Sequence, residues 1–419
     1  MNGEAELYCT PYFKPIDTVE LDAQGFTIYK VSIWEKAVWK DLAYSYNGRK
    51  LKIALGNTKT KKDTFKLFVG YTANPDSVLA EGGSAISGAQ GLYFINGKSE
   101  PGGFMPQFWT QGEPESNSAW FPVVDKPNEK ITHEIAMTVD SSWTTLSNGS
   151  IEFTTENGDG TRTDYWSMNQ PHAPYLVMMA AGEFHTTTEK WDSIPVSYLV
   201  EKEWASEVNR IFGKTPEMLT FYSNVLDVHY PWNKYDQIVV REYVSGAMEN
   251  TTAVVHGDFL YTDEKAYNDN SHEDVVAHEM FHHWFGDFVT CESWGQLPLN
   301  ESFATYGEYL WIEYKYGREE ADWHLHQDLM NYQAEFNFGH RPNMIRYELE
   351  APLEMFDNHS YAKGARILHM LRNYLGDEAF FKGLNLYLTS NKFKAAEVHN
   401  LRMAFEEVSG EDINWFYNQ

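Results

Sequence analysis

Residues 278–282 form the run His278-Glu279-Met280-Phe281-His282, which predicts a helix that carries a metal site. Residues four apart lie on one face of a helix, so both imidazoles can reach the same ion. Zinc suits imidazole and carboxylate ligands, and a catalytic zinc site has three protein ligands with a fourth position for water. Glu279 follows the first histidine and can reach that water from the side. The pattern therefore predicts Glu279 as the general base.

A third ligand is required, because two histidines and a glutamate can also coincide on a surface helix. Eighteen residues separate His282 from Glu301, within the run Leu299-Asn300-Glu301-Ser302-Phe303-Ala304. Pro298 stands where a new helix can begin, since proline is tolerated in the first helical turn. We therefore expect Glu301 in the first turn of a second helix that packs beside the first and completes the site.

Two neighbouring histidines fit the site poorly. His283 is one position round the helix from His282, so we interpret it as a packing or hydrogen-bonding residue. His272 precedes His278 by six residues, which rotates it about a third of a turn away from the metal face. We expect it near the start of the helix and away from the ion.

The overall charge argues against nucleic acid as a partner. Lys and Arg number 33 and Asp and Glu number 60, for a net charge of -27. Phosphate binding needs clustered basic residues, so nucleic acid and anionic membrane surfaces are both disfavoured. The charge is typical of a soluble protein, and a field that attracts cationic peptides is the weaker functional interpretation. No run reaches the roughly 18 apolar residues of a membrane helix.

Cys9 and Cys291 are the only cysteines, which excludes a disulfide framework and a cysteine-based metal site. Residues 1–6 contain neither the basic nor the apolar region of a signal peptide. The pattern instead predicts that the chain opens within a strand, so the sequence favours a start truncated inside a sheet. Cytoplasmic, periplasmic and secreted locations all stay open.

The pattern of hydrophobic residues divides the chain into an antiparallel β domain, 1–195, and a mostly helical domain with a small sheet, 196–419. Turn residues at 74–76, 101–103 and 157–160 punctuate the first part. The strands predicted in the two parts cover 4–13, 26–31, 65–69, 131–139 and 237–243. The predicted helices cover 203–212, 215–225, 272–287, 299–315, 319–336, 361–375 and 377–389.

Taken together, these motifs resemble the gluzincin aminopeptidases, the family typified by aminopeptidase N and leukotriene hydrolase. The spacing to Glu301 matches that family, whereas thermolysin-type endopeptidases have one residue more. Residues 110–114, Thr-Gln-Gly-Glu-Pro, followed by Trp120-Phe121-Pro122, are similar to a family segment that reaches the active site from the β domain. Residues 361–364, Tyr-Ala-Lys-Gly, resemble the family's tyrosine motif. The family's exopeptidase signature is present in full as Gly246, Ala247, Met248, Glu249 and Asn250.

The resemblance implies an α+β multidomain protein with an N-terminal β saddle or sandwich and a thermolysin-like catalytic domain. It also implies one zinc ion held by His278, His282 and Glu301, and removal of single residues from peptides with a free N-terminus. Glu113 and Glu249 match the amine-binding carboxylates, which suits charge-assisted recognition of an α-ammonium group. Tyr361 matches the donor to the oxyanion.

Three positions depart from the family pattern: Asp287 where asparagine is more frequent, Ser302 for glycine, and Pro298 for tryptophan. Separately, the small Ser245 precedes the signature at a position that can line the first specificity pocket. We expect these to alter local packing, with Ser245 leaving room for a large side chain. The family's C-terminal helical domain is expected to be absent. Two alternatives stay open, an epoxide hydrolase of the leukotriene-hydrolase kind and a non-catalytic scaffold. Oligomeric state and the preferred N-terminal residue are not predicted.

Overall fold

The structure is a computed structural model that describes residues 1–78, 85–95 and 103–418. Its first part is built from antiparallel strands, as the alternating hydrophobic pattern predicts. In β1, for example, partly buried and exposed residues alternate along the whole strand. The strands are β1 Asn2–Cys9, β2 Ile16–Asp22, β3 Phe26–Glu35, β4 Val38–Asp41, β5 Tyr44–Tyr46, β6 Lys50–Lys59, β7 Phe65–Ala73, β8 Leu92–Ile95, β9 Gln107–Thr110, β10 Ile131–Asp140, β11 Thr144–Ser147, β12 Ser150–Glu156, β13 Thr161–His172 and β14 Met179–Gly182.

These strands form four sheets. Two of them, ordered β1-β7-β3-β4 and β2-β6-β5, enclose a separate core that includes the fully buried Leu51, Ile53, Leu67 and Val69. The other two, β10-β13-β12 and β11-β14-β9-β8, contribute to a second core that continues into the helical part. The later β segments are therefore packed against the elements that carry the metal motif.

A five-stranded mixed sheet joins the two parts. Its strands are β15 His185–Trp191, β16 Ile194–Val200, β17 Tyr235–Val240, β18 Ala247–Met248 and β19 Ala253–Gly257. Their order in the sheet is β15-β16-β17-β19-β18. The predicted boundary at 195/196 falls inside β16, which pairs in parallel with β17. Since β17 and β19 are also parallel and fully buried, this sheet needs cover on both faces.

Helices dominate the rest of the chain, so the predicted α+β architecture is confirmed. A short parallel pair, β20 Val289–Cys291 and β21 Lys394–Ala396, lies among them. The helices are α1 Val208–Phe212, α2 Thr215–Leu226, α3 Glu264–Asp269, α4 Glu273–His282, α5 Glu301–Tyr316, α6 Arg318–Asn337, α7 Gly364–Leu375, α8 Asp377–Asn391, α9 Val398–Ser409 and α10 Asn414–Tyr417. In the part of the chain that the structure describes, no helix has the length and apolar character to cross a bilayer.

Several predicted elements have different bounds in the structure. The first strand stops at Cys9 instead of residue 13, because Pro11 has no backbone N–H for the ladder. Helix α4 ends at His282 instead of 287, where Gly286 takes a φ of 135° and Asp287 N donates to His282 O. Pro298 lies within a 3-10 segment, Trp294–Leu299, that precedes α5. The turn predicted at 101–103 falls mostly outside the described residues.

The close approach of α4 and α5 depends on a glycine. A Cβ atom built on Gly307 of α5 would lie 2.6–2.9 Å from Cγ, Cβ and Cδ1 of Phe281 on α4. Phe281 is fully buried, so its ring base has little room to move. This contact sets the distance between the helix that carries both histidines and the helix that begins at Glu301.

We expect Gly307→Ala to lower the free energy of unfolding by about 1–2 kcal/mol. Overpacking of a tight core destabilises the fold by about 1–3 kcal/mol. The better helix propensity of alanine offsets up to about 1 kcal/mol of that loss. Urea denaturation followed by circular dichroism measures the difference. Adding Phe281→Leu to the variant should recover part of the loss, and no loss in the single variant would contradict the packing argument.

Candidate metal centre

Helix α4 presents both motif histidines with the same ring nitrogen directed to one point. His278 Nδ1 lies 2.6 Å from Glu308 Oε1, and His282 Nδ1 lies 2.9 Å from the backbone oxygen of Phe285. Both acceptors favour a proton on Nδ1, which leaves the Nε2 lone pairs available to a metal. The early end of α4 is what turns the Phe285 carbonyl towards His282.

Glu301 is the first residue of α5, and its Oε2 lies 3.3 Å from Nε2 of His278 and 3.3 Å from Nε2 of His282. Ligand atoms in a tetrahedral site with bonds of about 2.0–2.1 Å are separated by about 3.3 Å. Both separations from Glu301 therefore match a tetrahedral zinc site, and the three predicted ligand atoms all lie within 4.8 Å of one another. His272, in contrast, caps the start of α4, and His283 is buried with Nε2 accepting from Thr252 N.

The sequence interpretation missed the residues behind His278. Glu308 bridges two histidines, with Oε1 at 2.6 Å from His278 Nδ1 and Oε2 at 2.9 Å from His324 Nε2. The signal was present, because Glu308 follows Glu301 by seven residues and so lies on the same face of α5. Such outer partners fix the tautomer and orientation of a ligating histidine.

Glu279 faces the same space as the metal ligands. Its side chain is buried, and Oε2 has no hydrogen-bond partner within the described residues. Burial raises the pKa of Glu279 to about 8, His278 and His282 oppose that shift, and Glu249 and Glu301 add to it. A bound dication would favour the ionised carboxylate again.

The signature residues 246–250 follow the edge of the mixed sheet. Ala247 and Met248 form β18, paired antiparallel with β19, which directs the next residue, Glu249, to the metal motif. Glu249 is buried, and its Oε1 accepts from the Tyr175 hydroxyl at 3.2 Å. It lies with Glu279 and His282 in one cluster whose ligand atoms are within 4.8 Å of one another. Of the rest, Gly246 is exposed and Asn250 is buried, with its side-chain amide unpaired among the described residues.

Glu113 reaches the site from the β part, on the loop after β9. The loop packs closely against the backbone at Tyr175, since a Cβ atom built on Gly112 would lie 2.2 Å from the backbone oxygen of Tyr175. Asn117 fixes the loop by donating to the backbone oxygens of Pro174 and Val177 at 2.6 and 2.8 Å. Glu113 is buried with Oε1 unpaired among the described groups.

The site holds four buried carboxyl groups close together. Glu113, Glu249 and Glu301 lie within 4.8 Å of one another through their carboxylate oxygens, and Glu279 is adjacent. Burial raises the pKa of Glu113, and the charges of Glu249 and Glu301 raise it further. Burial opposes the charge of Glu301, but His282 and His278 hold its pKa at about 2. Buried carboxylates are stable only with compensating cations, so this pocket is suited to a metal ion and a cationic ligand.

The two imidazoles supply part of that compensation when no metal is present. Burial disfavours the charge of His282, yet Glu249 and Glu301 outweigh it and raise its pKa to about 10. Burial likewise opposes the charge of His278, and its hydrogen bonds to Glu301 and Glu308 raise the pKa. A metal that binds here therefore displaces protons from the imidazoles.

Tyr361 lies in a π-helical turn, His359–Lys363, that leads into α7. Its ring is parallel to that of His278, with centroids 6.1 Å apart and planes at 11°. Burial raises the pKa of Tyr361, as do the nearby carboxylates, so the hydroxyl keeps its proton. An open cleft of about 330 Å³ borders Tyr361 and Glu308.

Two of the unusual positions are explained by their neighbours. Ser302 Oγ donates to the backbone oxygen of Ser360 at 2.6 Å. A Cβ atom built on Gly364 would lie 1.7 Å from Ser302 Oγ. Serine therefore fits after Glu301 because residue 364 has no side chain. Asp287 is fully buried, and burial raises its pKa, which favours the neutral form that, like asparagine, has a donor and an acceptor.

Two family models match the chain. The Peptidase M1 N-terminal domain matches residues 1–176, and the Peptidase family M1 domain matches residues 211–419. The metal ligands and residues 246–250 lie in the second match, and Glu113 lies in the first. Both halves of the candidate site thus belong to matched segments.

Similar proteins include glutamyl aminopeptidase of Bos taurus, 30% identical over 72% of this chain and 32% of the relative. Aminopeptidase N of Streptomyces lividans is 30% identical over 73% of this chain and 36% of the relative. The chain thus spans about a third of the length of these curated relatives. Legionella pneumophila aminopeptidase A, crystallised with aspartic acid, has the same fold, with a TM-score of 0.82 and 19% identity over 100% of this chain and 47% of that one. An M1 zinc metallopeptidase of Deinococcus radiodurans also has this fold, with a TM-score of 0.79 and 20% sequence identity. The match covers 100% of this chain and 88% of that one. The chain belongs to peptidase family M1.

Proposed function

We propose that this chain is the zinc-binding core of an aminopeptidase that releases the N-terminal residue of peptides. The observation that carries the proposal is the position of Glu113 and Glu249, two buried carboxylates whose oxygens lie within 4.8 Å of a carboxylate oxygen of Glu301. Glu301 is the proposed third zinc ligand beside His278 and His282. A zinc hydrolase that cut within chains would have no use for two further buried anions at that point.

The proposed site must first bind the N-terminal amine of the substrate. Glu113 and Glu249 are proposed to accept charge-assisted hydrogen bonds from the α-ammonium group. Since both lie so close to Glu301, the distance from the bound amine to the reacting carbonyl leaves room for one residue. This restriction limits the proposed activity to exopeptidase cleavage.

The reacting groups are then Glu279 and Tyr361. Zinc, when bound by His278, His282 and Glu301, supplies Lewis-acid polarisation of water and of the scissile carbonyl. Glu279 is proposed to take a proton from the attacking water on its unpaired Oε2 and to pass it to the leaving amine. Tyr361 is proposed to donate a hydrogen bond from its hydroxyl group to the oxyanion of the tetrahedral intermediate.

The extent of the catalytic unit is a proposal as well. We propose that it begins at residues 183–184, between β14 and β15, because β14 pairs within the β part whereas β15 and β16 hydrogen-bond into the sheet that ends at β18. The sequence alone predicts that the catalytic unit begins at residue 196. The β part would then contribute Glu113 to a site whose other residues lie in the catalytic unit.

The proposal is tested with a panel of peptides and aminoacyl reporters that carry free or acetylated amines, with and without a zinc chelator. We expect stepwise release of N-terminal residues from the free peptides only, abolished by the chelator and restored by zinc. Equal cleavage of acetylated peptides would rule out amine anchoring. A zinc-loaded protein that hydrolyses none of the panel would support the non-catalytic scaffold instead.

We expect Glu249→Ala to raise KM for free-amine substrates by roughly 10- to 100-fold. A hydrogen bond to a charged group contributes about 1.5–3 kcal/mol, and each 1.4 kcal/mol corresponds to about tenfold. Initial rates over a range of substrate concentrations give KM and kcat separately. Glu264→Ala, which removes an exposed carboxylate on α3, is the control and should leave both constants unchanged. An unchanged KM in Glu249→Ala would contradict the assignment.

A further inference from the structure

A second group of metal-type ligands lies at the end of α6, outside the site described above. It consists of Glu335 on α6, His340 in the following loop, and Asp357 and His359 at the approach to the π-helical turn. We call these four residues the α6-end cluster. It shares no residue with the candidate metal centre, and neither the amine anchors nor Glu279 take part in it.

The four ligand atoms converge on one point. Glu335 Oε1 is 2.9 Å from His359 Nδ1, His340 Nε2 is 2.8 Å from Asp357 Oδ2, and His340 Nε2 is 3.7 Å from Glu335 Oε1. All four atoms lie within 4.8 Å of one another. These separations bracket the roughly 3.3 Å that a tetrahedral zinc site requires. Small side-chain movements would equalise them.

The carboxylates are held so that one oxygen of each remains directed at the histidines. Asp357 Oδ1 accepts from the backbone nitrogens of His359 and Ser360 at 3.0 and 2.9 Å. Glu335 Oε2 accepts from the backbone and side-chain nitrogens of Asn358, both at 2.9 Å. Hydrogen bonds of this kind fix ligating carboxylates in metal sites. The arrangement orients Glu335 Oε1 and Asp357 Oδ2 before any ion binds.

The charges around the cluster leave room for a dication. Arg346 contacts Asp357 Oδ2 and also donates to the backbone oxygens of Asn343 and Glu354. It neutralises one of the two carboxylates, and a carboxylate oxygen has a further lone pair for a second partner. Among the described residues, Glu335 forms ion pairs only with His340 and His359, so its carboxylate has no Lys or Arg partner.

We propose that the α6-end cluster is a second metal site that binds a zinc-class divalent cation through two imidazoles and two carboxylates. This donor set suits zinc and its transition-metal neighbours and does not suit calcium or magnesium, which prefer oxygen ligands only. Because His359 and Tyr361 share one π-helical turn, the ion would anchor the segment that carries Tyr361. The site would be structural, since all four ligand positions are filled by protein.

The test is zinc stoichiometry, which does not depend on hydrolysis. Metal-free protein is dialysed against zinc chloride, and bound zinc per chain is measured by mass spectrometry. We expect two equivalents in the parent, one in His340→Ala and one in His282→Ala. His340 is half exposed, with 48% of its side-chain surface accessible, so its removal should leave the fold intact by circular dichroism. His326→Ala, which removes an exposed histidine on α6, is the matched control and should keep two.

The parent binding one equivalent, with His340→Ala still binding one and His282→Ala none, would overturn the proposal and leave the cluster as two histidine–carboxylate hydrogen bonds. If His340→Ala failed to fold, Glu335→Gln gives a second variant, because glutamine keeps the shape and removes the charge. Failure of the catalytic proposal looks different, since the parent would then bind zinc but hydrolyse no free-amine substrate.

Discussion

Replacement of Glu279 by glutamine is expected to lower kcat by about 10²- to 10⁴-fold while zinc content and fold stay unchanged. Glutamine has nearly the shape of glutamate but cannot take the proton from water. The Oε2 atom of Glu279 has no hydrogen-bond partner among the described residues, so the substitution breaks no structural contact. Rates on an aminoacyl reporter, measured at saturating substrate, report kcat directly.

Zinc per chain and the thermal midpoint provide the controls for Glu279→Gln. Both should match the parent, because glutamine adds no ligand and leaves His278, His282 and Glu301 in place. A variant that keeps near-parental kcat would disprove the general-base role. A variant that loses zinc would show that Glu279 supports the metal instead of the proton transfer.

Removal of the third ligand is the second large effect that we expect. Glu301→Ala should weaken zinc binding by more than the roughly 10- to 100-fold that loss of an outer-shell partner costs, because it deletes the one ligand charge. It also leaves His278 and His282 facing a cavity, since Glu301 Oε2 is the atom that lies 3.3 Å from both Nε2 atoms. Competition with a fluorescent zinc chelator measures the affinity, and hydrolysis should fall in parallel at limiting zinc.

Glu319→Ala is a suitable control for Glu301→Ala, since Glu319 is an exposed carboxylate at the start of α6. Its zinc affinity should equal that of the parent. If Glu301→Ala retained parental affinity, the ligand set inferred from the spacing and from the geometry would be wrong. A zinc count of two falling to one in Glu301→Ala would still agree with a second ion at the α6-end cluster.

The sequence predicts the metal motif well because its information is local. Two histidines four residues apart need only one helix to meet, and α4 provides it from Glu273 to His282. Glu301 is predicted through spacing and starts α5 as expected. The helix end at His282 is predicted five residues too late, because it depends on the φ of Gly286 and on a backbone hydrogen bond from Asp287.

Features that depend on long-range packing could not be predicted. Tyr175 donates to Glu249 across 74 residues, and nothing in the sequence near either residue indicates that contact. The α6-end cluster likewise combines a helix end, a loop and a π-helical turn, which come together only in the folded chain. The strand order that ties β15 and β16 to the later sheet is also a property of the tertiary fold.

Ser302 and Gly364 occupy one shared volume, and this has a consequence for how the chain can evolve. A larger residue at 364 would collide with the Ser302 hydroxyl, which lies 1.7 Å from where its Cβ would stand. A side chain at residue 364 therefore requires that Ser302 first be replaced by glycine, which removes the hydroxyl from that volume. Because Ser302 follows the proposed ligand Glu301 and Gly364 follows the turn that carries Tyr361, a change at either position would alter the packing between the metal ligand and Tyr361.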